Sequence, residues 1–252
     1  MARKKLGTLL SLLFWLAVWQ LASVLISQQL FLASPLTVLS TLWRLLGTAE
    51  FYKVIGFSFA RICLGFLAGM LIGTALAVSA YKLAFIETLL RPLMGAVKTA
   101  PVASFVVLAL LFAGSGRLSA LIAFLMVVPI FYSNLLAGLK SVEPERFEAA
   151  AVFGMINSDR FRFIYLPYVV PFFSGACEVG IGTAWKAGVS AEVIGIAAGS
   201  IGEKIYDAKI NLETPELFAY TLATIVISLA LERIAIWLIR FAEKKLTDGS
   251  RH

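Results

Sequence analysis

Glu148-Ala-Ala-Ala-Val-Phe-Gly-Met-Ile-Asn-Ser-Asp-Arg-Phe-Arg-Phe-Ile-Tyr-Leu-Pro167 lies between two long apolar runs, about Leu118–Leu139 and about Tyr168–Ile196. Just before it, Pro144 suits the first turn of a helix, and Glu143 and Glu145 favour the positive end of that helix's dipole. Ala149, Ala150 and Ala151 are strong helix formers, and Gly154 is a C-terminal stop. Asn157-Ser158-Asp159 is a capping cluster for a second helix that ends at Pro167. The spacing predicts a helix–turn–helix over about 140–167, strung between two bilayer-crossing segments. Phe147, Val152, Phe153 and Met155 are bulky apolar residues outside those segments. They either form a partner site or pack on the protein's own helix ends, and residue chemistry alone leaves both open.

The flanking runs belong to a series. Apolar blocks occur at about Leu9–Ile26, Val54–Ala80, Val102–Phe112, Leu118–Leu139, Tyr168–Ile196 and Leu217–Ile239. Blocks of about 18 or more apolar residues read as membrane-spanning helices. Val102–Phe112 is shorter; Leu93, Met94, Ala96 and Val97 extend it backwards, with Pro101 as a kink or a break. Of the 252 residues, 60% are hydrophobic and 15% charged, against about a quarter charged in soluble domains. The fold class is all-α: a polytopic membrane protein of about six transmembrane helices, read as one domain over 1–252.

The formal charge of +7 reports topology rather than nucleic acid, since no aromatic–basic interleaving accompanies it. Placing the N-terminus inside puts Arg3, Lys4, Lys5, Lys82, Arg91, Lys140, Arg146, Arg160, Arg162, Lys244, Lys245 and Arg251 on the cytoplasmic side. Only Arg44, Lys53, Arg117, Lys204 and Lys209 then fall outside. Both termini are therefore expected in the cytoplasm, and Leu9–Ile26 is read as a retained signal-anchor. In the outer segment, about 27–53, Ser34 caps and Pro35 opens a short amphipathic helix running to about Leu46.

Cys63 and Cys177 are far apart inside apolar blocks and suggest buried thiols, and the single histidine, His252, is the last residue. With no Ser–His pair, metal-ligand cluster or phosphate-cradling loop, no catalytic residue, cofactor site or metal site is expected, and the chain is read as a non-enzyme. Glu178, Lys186 and Glu192 fall within or at the end of the fifth block. A charge at membrane depth costs roughly 2.5–3.5 kcal/mol on insertion scales, so each needs a partner or a watery path. Lys186 either lines a translocation route for an anion or pairs with an acid elsewhere; Glu192 reads as structural or gating, and Glu178 as an anchor near the inner side. Gly65, Gly69 and Gly73 allow close helix approach, within the subunit in preference to a dimer seam.

The pattern Glu148-Ala149-Ala150, Gly154, Ile164, Leu166-Pro167 resembles the EAA loop of ABC importer permeases at each of these positions. Pro35-Leu-Thr-Val-Leu39, the Pro92–Pro101 stretch, Ala191-Glu192-Val-Ile-Gly195 and Gly199-Ser-Ile-Gly202 resemble the nitrate/sulfonate/taurine-type subfamily of the binding-protein-dependent, MetI-like superfamily. Lys186, after Trp185, departs from that subfamily's apolar residue. The resemblance implies a loop that docks on a cytoplasmic ATPase, with Glu148 in polar contacts, Ala149 and Ala150 packing closely and Gly154 as the bend. Phe147, Phe153 and Met155 would pack in the same loop. It further implies a homodimer in the bacterial cell membrane, a pair of ATPases that bind the ATP and magnesium, and an external solute-binding protein. The expected cargo is a small anion; a permease for a pyrimidine or other vitamin precursor and an ion-coupled secondary transporter are the alternatives.

Overall fold

The architecture turns on a sharply bent helix pair. Helix α4 (Ala84–Thr99) and helix α5 (Val102–Ala113) meet at 106°, with Ala100 and Pro101 extended between them. Proline cannot donate to the helical ladder and pushes its predecessor out of the helical region, so the expected kink is a full corner.

The computed structural model describes residues 2–26 and 31–248. Part of the expected outer segment (27–30) and the terminal Arg251 and His252 lie outside the described residues, as do the side chains of Arg3, Lys4, Lys5, Lys244 and Lys245. The other helices are α1 (Ala2–Ile26), α2 (Pro35–Leu46), α3 (Ala49–Lys82), α6 (Leu118–Lys140), α7 (Pro144–Val152), α8 (Asn157–Arg160), α9 (Leu166–Gly195), α10 (Ile201–Ile210) and α11 (Thr214–Asp248). No strand occurs among the described residues.

Four segments (Ala49–Lys82, Ser115–Lys140, Asn157–Gly195 and Thr214–Ile239) are each long and apolar enough to cross a bilayer, and α4 and α5 reach that length and apolarity only when taken together. The apolar part of α1 among the described residues is Leu13–Ile26, shorter than a full crossing. The amphipathic α2 forms where expected: Ser34 Oγ accepts from Thr37 N at 3.2 Å, and Pro35 occupies the first turn. One element was not expected. Helix α10 follows α9 through a left-handed residue, Ile196 (φ 48°), and Ser200 caps it, accepting from Glu203 N at 3.1 Å.

Helices α3, α6 and α9 form the centre. The face of α3 carrying Gly65, Gly69 and Gly73 lies against α6, so a methyl group at Gly65 would come within 2.2 Å of the Ala120 carbonyl oxygen. That seam is internal to the subunit. Around it, Phe131 and Trp185 are almost wholly buried, and Trp185 Nε1 donates to the Thr224 carbonyl of α11 at 3.1 Å.

Candidate functional site

The loop between α6 and α9 is built around a helix stop. Gly154 takes a left-handed conformation (φ 62°), its N–H donates to Ala151 O at 3.1 Å, and Met155 N donates to Ala150 O at 2.9 Å. This pair of bonds is the Schellman motif, which satisfies the last carbonyls of α7 and turns the chain sharply. Ala150 is buried against Val142 and Ile164, and Phe147, Met155, Tyr165 and Tyr168 close over them. Phe147 and Tyr165 hold their rings 5.4 Å apart. Arg146 pairs with Glu143 at 3.3 Å and lies over the Tyr168 ring.

The loop therefore divides its apolar residues. Phe147 and Met155 pack inward, whereas Val152 (84% exposed), Phe153 (79%) and Ile156 (65%) point outward with Ala149 and Glu148. Leu166 is half-buried and Pro167 exposed. Two local expectations are revised. Ile156, not the Asn157–Asp159 cluster, occupies the N-cap of α8, with Asp159 N and Arg160 N donating to its carbonyl at 3.1 and 3.0 Å. Nor does the second helix stop at Pro167: a π-helical turn, Phe161–Tyr165, carries it into α9, and Pro167 follows directly on that turn.

The three charges expected along a route are not brought together. Glu178 and Lys186 are exposed on α9. Lys186 lines a groove of about 320 Å³ between α9 and α11 with Ser190, Thr224, Ser228 and Glu232. Glu232 Oε1 reaches across to Gly182, sitting 2.7 Å from where a side chain there would begin. Glu192 is fully buried. Ser58 Oγ donates to its Oε2 at 2.7 Å and accepts from Ile201 N at 2.9 Å, while Ser119, the Gly202 backbone and Arg61 flank the carboxylate. Arg61 also lies over the Phe57 ring, 3.6 Å from its centroid. This knot joins α3, α6, α9 and α10. Close by on α10, Lys204 pairs with Glu50 at 2.5 Å, and that hydrogen bond lifts Lys204 above the usual lysine range.

A second basic cleft, absent from the sequence reading, opens between α4 and α6. It measures about 360 Å³ and is lined by Glu87, Arg91, Lys98, Tyr132, Ser133 and Lys140 among others. Lys98 is placed there because α4 runs beside α6 up to the corner at Pro101, so that a residue of an apparent loop faces Ser133. The signal was available in Leu89–Thr99, the apolar extension that precedes Pro101.

Residues 65–248 match the family described as the binding-protein-dependent transport system inner membrane component. The chain is 28% identical over 250 residues to the putative aliphatic sulfonates transport permease protein SsuC of Bacillus subtilis (strain 168), covering 97% of this chain and 88% of that one. It is 27% identical over 234 residues to the taurine transport system permease protein TauC of Escherichia coli (strain K12), covering 90% and 84%. In fold it is similar to a chain of a bacterial ABC transporter involved in the import of the acidic polysaccharide alginate. That likeness has a TM-score of 0.62 at 16% identity and covers 94% of this chain and 96% of the other.

Proposed function

This chain belongs to the family of binding-protein-dependent transport system inner membrane components, and from that premise we propose that it carries a small anion of the sulfonate, taurine or nitrate type. As an ABC importer permease it is a transport component rather than an enzyme. The observation that carries its mechanism is the divided loop. Its inner half, through Ala150, Ile164, Phe147 and Met155, is fixed to the ends of the spans. Its outer half offers Val152, Phe153 and Ile156 to a partner. A rigid helix stop between those halves transmits displacement instead of absorbing it. ATP-driven closure of two cytoplasmic ATPases would thus move α6 and α9 together through Glu148, Ala149, Ala150, Gly154, Ile164, Leu166 and Pro167.

In this reading the whole chain acts as one domain, two copies enclose the route, and both termini face the cytoplasm. An external binding protein delivers the solute. ATP and magnesium belong to the ATPases. Lys186 faces the route from its groove, with Glu178 nearer the inner side, and Glu192 holds the outer helix ends in register. Glu192 is ill-suited to an ion relay because its carboxylate is enclosed and bonded to Ser58.

Isolation of the complex from membranes tests the reading. An ATPase and a solute-binding protein should co-purify, and the binding protein should release an organic sulfonate or nitrate on denaturation, identified by mass spectrometry. A heterocyclic vitamin precursor in its place would reassign the cargo while keeping the importer. A permease recovered without an ATPase in mild detergent would overturn the mechanism.

A further inference from the structure

The cleft between α4 and α6 carries positive charge that the chain does not balance. Glu87 at one end is already occupied, accepting from Lys140 Nζ at 2.6 and 2.7 Å. Arg91 and Lys98 line the same cleft, and neither forms an ion pair with a described carboxylate. Lys98 Nζ donates to Ser133 Oγ at 2.6 Å, and that hydroxyl in turn donates to the Pro129 carbonyl. Ser133 therefore fixes the ammonium against α6 and leaves two of its three hydrogens for another acceptor. Ser133 lies seven residues before Lys140, roughly 10 Å along the helix, so the charge sits well inside the span.

Tyr132 supplies a separate observation. The residue is only 5% exposed, lines the cleft, and has a buried hydroxyl with no hydrogen-bond partner. Arg91 and Glu87 are its charged neighbours. Buried hydroxyls are almost always paired, and this one, with the Arg91 cation near it and Glu87 already taken up by Lys140, lacks an acceptor. An oxyanion meets both needs: two oxygens for the fork of Arg91, and lone pairs for Lys98 and Tyr132. The space is at the small end of ligand pockets, suited to a compact anion.

We propose that the α4–α6 cleft is an anion-binding site, in which Lys98 and Arg91 hold the oxyanion group of a ligand and Tyr132 donates a hydrogen bond to it. For a transported solute the inference rests on the anionic-cargo reading above; the headgroup of an acidic lipid presents the same chemistry, and the test separates them.

The assembled permease–ATPase complex is placed in nanodiscs of neutral phosphatidylcholine, and binding of radiolabelled methanesulfonate is measured by equilibrium dialysis. In parallel, discs containing phosphatidylglycerol are analysed by native mass spectrometry for retained lipid. The expected result is saturable methanesulfonate binding, weakened about tenfold or more in Lys98→Gln/Arg91→Gln and severalfold in Tyr132→Phe. Phosphatidylglycerol retention lost in the same variants, without methanesulfonate binding, assigns the site to lipid. Wild type that holds neither probe, or variants that hold both unchanged, overturns the proposal. Where the double variant does not assemble, Tyr132→Phe decides alone, since it keeps the packing volume. An ATPase absent from the wild-type complex refutes the importer reading instead, so the two failures are distinct.

Discussion

Ser58 and Glu192 stand 134 residues apart in the chain and are joined by a 2.7 Å hydrogen bond with both side chains fully buried. The same serine hydroxyl accepts from Ile201 N, so one oxygen ties α3, α9 and the start of α10.

Ser58→Ala leaves both the carboxylate oxygen and the Ile201 amide short of a partner. Unsatisfied buried groups cost about 1–3 kcal/mol each. The variant should unfold at lower temperature in detergent, while ATPase co-purification at low temperature stays unchanged. A thermal midpoint equal to that of wild type would show that the knot carries no stability.

Gly154→Ala tests the helix stop without adding a clash, because a methyl group there meets nothing within 4 Å. Only the left-handed backbone is penalised, by roughly 1–2 kcal/mol for a residue with a side chain. The expected outcome is a complex that assembles with weaker ATPase affinity, up to about tenfold, and Gly154→Asn should recover part of the loss, since asparagine tolerates that conformation. Surface plasmon resonance between permease and ATPase reads both.

Phe153→Asp and Val152→Asp alter the outward half of the loop alone. Co-purification of the ATPase should disappear with the permease still folded by tryptophan fluorescence. Phe147→Asp, on the inward half, should instead destabilise the permease itself; equal behaviour of the two classes would contradict the division of the loop.

Gly65→Val places a branched side chain where even a methyl group would meet the Ala120 carbonyl oxygen at 2.2 Å. Overpacking of a close-packed seam costs about 1–3 kcal/mol and often more for a backbone clash. Membrane levels of the variant should fall several-fold, whereas Gly95→Val, where nothing lies within 4 Å, should leave them unaltered.

Lys186→Met removes the charge from the α9–α11 groove. Uptake of a labelled sulfonate by reconstituted vesicles should drop several-fold with ATPase binding intact. Uptake at the wild-type rate would take Lys186 off the route.

The elements that could be read from residues are those with local, chemical boundaries. Ser34-Pro35 sets the start of α2 to the residue because a cap and a fixed φ act within one turn. Gly154 likewise marked the end of α7, since only a left-handed residue can close that motif. The second helix does start at Asn157, but one residue earlier than a cap there would allow, so Ile156 takes the cap and Asn157–Asp159 form the first turn. Helix α10 has ten residues of mixed character and no apolar block, and its formation depends on packing Gly202 against the Glu192 backbone. Pairings such as Lys98 with Ser133 join α4 to α6 across 35 residues and depend on how the two helices pack, not on a local pattern.

The corner at Pro101 also divides the protein's surroundings. Where α4 stops and α5 begins, carbonyls at the end of one helix and amides at the start of the next fall outside the helical ladders, although Ser104 N still donates to the Pro101 carbonyl at 3.0 Å. Hydrocarbon cannot satisfy such groups, and irregular backbone at that depth persists only against protein or water. The side of the molecule that holds the corner must therefore stay hydrated or covered at every stage of the cycle. Leu64, Leu71 and Trp237, exposed on the long unbroken helices α3 and α11, have no such requirement and can meet acyl chains directly. One proline thus settles which flank lipid may wet and which it may not.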